Sequence, residues 1–236
     1  QVPASIYVKP QASWHLSGGY FQNISENDWE LGMEVYYKTL ENQLEFKNGI
    51  ETTFANGMFE KDLLVGKGWT YGAEWKIRKN AGKLTGWLSY NLARSYRQFD
   101  KINNGLVFLA NNDRRHDISL IGMYELNNRW NFSAVFVYAT GNRLNLPVSW
   151  FFIDGKYVLE YGRYNAFEMP AYHRLDVSAN HKLKTWHGIQ SELNFSVYNI
   201  YNRANPFQVI FIPRSQSMRM SYLLPIIPSV SWTFHL

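Results

Sequence analysis

The chain has 236 residues, no cysteine and a formal net charge of +5. Those three facts exclude a disulfide framework, thiolate metal ligands and a basic block of the kind that holds nucleic acid. A hydrophobic share of 46% excludes intrinsic disorder, while 15 Phe, 16 Tyr and 9 Trp make an uncommon load of side chains suited to a boundary between oil and water.

Taken in chain order, the apolar residues alternate rather than recurring at three and four, so the predicted elements are strands. The first, Ala12 to Phe21, has Trp14, Leu16 and Tyr20 in phase. Trp29, Leu31, Met33, Val35 and Tyr37 follow, opposite Glu30, Glu34 and Lys38, and then Trp69, Tyr71, Ala73, Trp75 and Ile77, opposite Thr70, Glu74 and Lys76. Leu84 to Leu92 and Ile118 to Leu126 give the next two rows. The clearest strand is WNFSAVFVYA, Trp130 to Ala139, in which Trp130, Phe132, Ala134, Phe136 and Tyr138 share one face. Leu175 to Ala179, Leu193 to Val197 and Val230 to Leu236 complete a set of nine strands with no helix.

The connections sort by length. Asn23 to Asp28, Lys79 to Lys83, Asn127 to Arg129 and Leu183 to Gly188 are short. Their alternates, Phe46 to Leu63, Gln98 to Asp113, Gly141 to Ala171 and Arg203 to Ser217, are long, and a hairpin is expected around Asp154 and Gly155. Short turns at one end and long loops at the other are the pattern of an outer-membrane barrel, whose strands need only roughly 9 to 11 residues each to span. No window near 20 residues is free of charge, which excludes a helical span. In a membrane barrel Trp130, Phe132 and Phe136 face lipid, and Asn131, Ser133 and Val135 face the lumen. In a soluble barrel the two faces exchange.

Several phrases carry a resemblance. GKGWTYGAEW (Gly66 to Trp75), GWLSYNLARSYRQFD (Gly86 to Asp100), DRRHDISLIGMYELNNRWNFSAVFVYATGN (Asp113 to Asn142), MPAYHRLDVSAN (Met169 to Asn180) and LNFSVYNIYNRANPF (Leu193 to Phe207) resemble, in this order, the C-terminal barrel half of TonB-dependent outer-membrane receptors, particularly those of Bacteroidetes. The resemblance implies an all-β fold: an antiparallel up-and-down transmembrane barrel segment of about nine strands from a 22-stranded barrel. It implies that residues 1–236 are the C-terminal portion of that barrel, with the plug domain and the TonB-contacting segment outside this sequence. It further implies a transport protein in the bacterial outer membrane, taking up a siderophore, vitamin, glycan or peptide. Its expected partners are outer-membrane lipid, the remainder of the barrel and plug, the TonB complex and a nutrient, with no nucleic acid. A passive porin and a soluble ligand-binding barrel are the alternatives; plug sequence upstream and dependence on detergent discriminate among the three.

No enzyme is expected. His116 and Asp117 are adjacent and therefore point to opposite faces of a strand, and His173 and Asp176 also differ in phase, so neither pair forms a catalytic dyad. The six histidines show no paired ligand spacing, so neither a metal site nor a cofactor is expected. Charges in DRRHD are expected to anchor a loop base, and the mixed charges of the polar phase to make a wet wall. The binding candidates are Trp150, Phe151, Phe152, Tyr157, Tyr161 and Tyr164, which place stacking surface on a loop that a rigid scaffold would display.

Overall fold

The computed structural model describes residues 8–26, 28–46, 63–183, 190–212 and 217–235. Nine strands form the wall: β1 (Ala12–Ile24), β2 (Trp29–Phe46), β3 (Leu63–Lys79), β4 (Leu84–Gln98), β5 (His116–Asn127), β6 (Trp130–Ala139), β7 (Tyr172–Lys182), β8 (Gln190–Tyr198) and β9 (Ile227–His235). Each is antiparallel to its predecessor and lies beside it, so the spatial order is the chain order. All nine strands expected from alternation are present, and the first runs three residues further than expected, to Ile24. Among the described residues no helix is long and apolar enough to cross a membrane, a statement that does not bear on strands.

The register aligns the apolar rows into one face. Leu31 stands opposite Ile77, Ile77 opposite Leu88, Leu88 opposite Leu120, Leu120 opposite Phe136 and Phe136 opposite Leu175. A parallel line continues from Phe132 through Ala179 and Phe195 to Val230. The other face carries Glu34, Glu74, Asn91, Asp117 and their neighbours, because successive residues of a pleat leave opposite sides. A one-residue slip would mix the faces, so this alignment is strongly specified.

The two rims differ in their aromatics. At the short-turn rim the apolar face ends on Trp29, Trp130 and Trp232, with Phe234 packed 4.6 Å from Trp232 between ring centres. Toward the long-loop rim stand Tyr37 opposite Tyr71, Tyr138 opposite His173, and Trp69 stacked on Tyr96 at 5.5 Å. From Trp130 to Tyr138 the strand rises roughly 26 Å, or about 20 Å along the barrel axis at a tilt of about 40°.

Local chemistry closes the short turns. Ser25 and Glu26 take positive φ of 53° and 52°, and the Asp28 amide donates to the Ser25 carbonyl at 2.9 Å. In the β5–β6 turn Asn127 Oδ1 accepts from the amides of Arg129 (2.9 Å) and Trp130 (3.0 Å), an Asx turn that holds Trp130 at the rim. Most of the Leu183 to Gly188 turn, and the loop between β2 and β3, lie outside the described residues.

The buried apolar cluster sits above the wall. Leu64, Phe99, Ile102 and Phe108 pack together at the bases of the long loops, with Tyr164 against them. Gly141 marks a close crossing in the same layer: a Cβ there would lie 1.7 Å from the Met169 carbonyl oxygen. No other residue fits that approach.

Candidate functional site

Three layers can meet a ligand: the rim, the loops over it and the polar face below. At the rim, charges fix loop bases. Asp113 is 3% exposed, and its carboxylate accepts from Arg94 Nη1 and the Ser95 amide, each at 2.7 Å. The carboxylate is bonded to a cation and a backbone donor at once, so it anchors the chain entering β5. His116 meets the Tyr90 hydroxyl through Nδ1 at 2.8 Å on the apolar face, while Asp117 lies on the polar face 3.7 Å from Arg114. The two residues diverge as the alternation requires.

A second anchor follows β8. Asn199 is 0% exposed and adopts a φ of 53°. Its Oδ1 accepts from the Arg203 amide at 3.0 Å, its Nδ2 donates to the Arg203 carbonyl at 2.9 Å, and its own amide donates to Asp176 Oδ1 at 2.8 Å. Asn205 in turn clamps the backbone of His173, accepting from its amide at 3.0 Å and donating to its carbonyl at 2.9 Å. Asn202 accepts from the Ile226 amide at 3.0 Å. Asn suits these places because it tolerates the left-handed conformation and offers both donor and acceptor. Alternation cannot find this knot; its sequence signal is the three-residue spacing of Asn199, Asn202 and Asn205.

Among the described residues two hairpins extend from the long-loop rim. Pro147–Ile153 pairs with Lys156–Tyr161 across Asp154 and Gly155, whose φ values of 50° and 79° are those of the turn expected there. The connection expected as Arg203 to Ser217 runs from the end of β8 to the start of β9. It contains a second hairpin, Pro206–Ile212 with Ser217–Tyr222, that alternation did not announce. Phe211 of the second joins them, 5.4 Å from Trp150 and 6.2 Å from Tyr157. Phe152 packs on Tyr157 at 5.1 Å and remains 66% exposed; Phe151, on the opposite side of the hairpin, is 51% exposed. Tyr161 lies at the hairpin base opposite Pro147. Tyr164 is set apart from this group. Its ring is 5.4 Å from Phe108 in the buried cluster, its amide donates to Asn103 Oδ1 at 2.8 Å, and burial, reinforced by the nearby Glu45 charge, pushes its phenol above the ordinary range. The structure therefore brings Trp150, Phe152 and Tyr157 together, adds Phe211, and places Tyr164 in the loop core.

Among the described residues two grooves open on the polar face. One, of about 460 Å³ near the long-loop rim, is lined by Tyr36, Lys38, Asn91, Arg97, Arg114 and Asp117. The other, of about 570 Å³ toward the short turns, is lined by Lys83, Asn131, Ser178, Asn180 and Glu192 among others. With Asp113 held by Arg94, the upper groove carries more positive than negative groups. Among the described residues no three His, Asp or Glu side chains are grouped to hold a metal ion.

No protein-family model and no curated protein matches the sequence. Solved structures do. The ferric-catecholate import receptor Fiu from E. coli K12 matches 96% of this chain over 28% of its own, with a TM-score of 0.61 and 14% identity. The FrpB iron transporter from Neisseria meningitidis matches 97% of this chain over 32% of its own (TM-score 0.57, 14% identity). The fold is that of a TonB-dependent receptor barrel. BauA, the ferric preacinetobactin receptor from Acinetobacter baumannii, matches 94% of this chain over 29% of its own (TM-score 0.53, 13% identity). The chain thus spans about a third of the length of the receptors it matches. On this fold Trp29, Trp130 and Trp232 stand at one rim of the apolar face and the tyrosines at the other.

Proposed function

We propose that this chain is the C-terminal part of the barrel of an energy-coupled uptake receptor, completed by further strands and a plug in the same protein and driven by a TonB complex. The aromatic group made by Trp150, Phe152, Tyr157 and Phe211, on hairpins standing over a polar wall, is the observation that carries this reading. Stacked aromatics give a ligand apolar surface at low entropic cost, and the upper groove on β2 to β5, with Lys38, Arg97 and Arg114, favours an anionic one. Both features suit a ferric chelate, the ligand class named for the iron receptors that share the fold. The lateral edges of β1 and β9 are exposed along their whole length, and an open ladder in lipid costs several kcal/mol per unpaired group, which supports pairing with further strands.

Replacing residues 147–161 by a short Gly-Ser linker is expected to abolish uptake of radiolabelled ferric catecholate or ferric citrate by cells carrying the intact protein, while the barrel still inserts. Loop residues add little to the ladder that spans the bilayer. Uptake that persists at the original rate would remove this hairpin from the ligand path. Uptake that continues after the proton gradient is collapsed, together with a steady conductance in planar bilayers, would instead identify a passive channel.

A further inference from the structure

A pocket of about 540 Å³ opens beside β7, lined by His173, Tyr201, Arg203 and the apolar side chains of Pro170, Met220 and Tyr222. It does not belong to the ligand path. His173 stands opposite Tyr138 and in phase with Leu175 and Val177, so it leaves the wall on the lipid face, at the height where the tyrosine girdle marks the change from acyl chains to headgroups. The pocket therefore looks sideways into the outer leaflet.

Its polar side is built for an anion. No carboxylate lines it, and the Asp176 carboxylate leaves the opposite face of β7. The Arg203 guanidinium uses Nη2 to donate to the Ala171 carbonyl at 2.9 Å, and its buried Nε–H meets no acceptor among the described residues. Arg203 lines the pocket, and a guanidinium fits phosphate oxygens. His173 Nδ1 lies 2.8 Å from the Tyr201 hydroxyl. When that hydroxyl donates to Nδ1, the ring carries its proton on Nε2 and offers a second donor. The knot around Asn199 and Asn205 fixes the backbone of both Arg203 and His173, so the two groups are held before any ligand arrives.

We infer that the His173, Tyr201 and Arg203 pocket binds the phosphorylated headgroup of an outer-leaflet lipid, with Met220 and Tyr222 against the start of its acyl chains. The inference rests on the barrel fold and is independent of what the lumen transports. Free phosphate shares the headgroup's chemistry, but it has no use for the apolar half of the lining.

The test is native mass spectrometry of the intact protein in dodecyl maltoside micelles, with bisphosphorylated lipid A, the same lipid dephosphorylated, and inorganic phosphate as probes. The phosphorylated lipid should be retained, and retention should weaken about tenfold or more in Arg203→Gln, recover in Arg203→Lys, and weaken in His173→Gln. Heat-modifiable migration on gels reports whether each variant is folded; if Arg203→Gln is not, His173→Gln and Arg203→Lys decide. Equal retention of the dephosphorylated lipid overturns the inference, as does unchanged retention in the folded glutamine variants. Millimolar inorganic phosphate that displaces the lipid would reassign the pocket to a free anion and equally overturn it.

Discussion

Ala134→Arg is expected to destabilise the folded barrel by about 2–4 kcal/mol, and Val135→Arg by less than about 1 kcal/mol, although the two residues are neighbours. Ala134 lies midway between Trp130 and Tyr138 on the lipid face, between Gly122 and Val177 in register. A guanidinium there must either enter hydrocarbon or bend toward a distant interface. Val135 lies at the same depth on the opposite face, between Ile121 and Asp176, where a cation meets water and a carboxylate. Denaturant unfolding of the intact protein in lipid vesicles measures both. Equal losses would mean that the two faces of β6 see the same solvent, and the assignment of lipid to the apolar face would fail.

The second large effect is local. Asn199→Ala removes both side-chain partners of the Arg203 backbone and leaves an alanine at a φ of 53°. Two buried backbone groups without partners, plus the left-handed conformation imposed on alanine, sum to about 3–5 kcal/mol. The loss should appear as opening of the segment after β8, because the wall strands keep their ladder. Amide exchange is the readout: the Ile226 and Leu223 amides, bonded to Asn202 and Asn205, should lose protection while those of β6 and β7 do not. Wild-type protection at Ile226 would show that the knot is held by other means.

Strands such as Trp130–Ala139 were legible because one face must be greasy along its whole length, and a period of two has no competing reading at that length. The loop-length sorting was legible for the same structural reason, and Asp154-Gly155 announced its hairpin through turn chemistry that requires positive φ. The hairpin containing Phe211 was missed. Its strand Pro206–Ile212 is an apolar run broken only by Gln208, with no alternation to announce it. Tyr164 reads in sequence like the other loop aromatics. What separates it is contact with Phe108, far away in the chain, and nothing local in a sequence reports such contacts. The asparagine knot also depends on side chains reaching across to other segments, as Asn205 does to His173.

The ladder in which every wall strand pairs with its immediate predecessor also governs how the chain can change length. Removing one residue inside β6 would carry every residue beyond the cut to the opposite side of the pleat, bringing the Asn131 phase into line with Leu120 and Leu175. Neighbouring strands could not compensate, since each takes its alignment from the one before. The same deletion among residues 141–171 shifts no pairing in the wall. Variation in length is therefore confined to the connections between strands, and the wall strands can vary only by exchanging one residue for another.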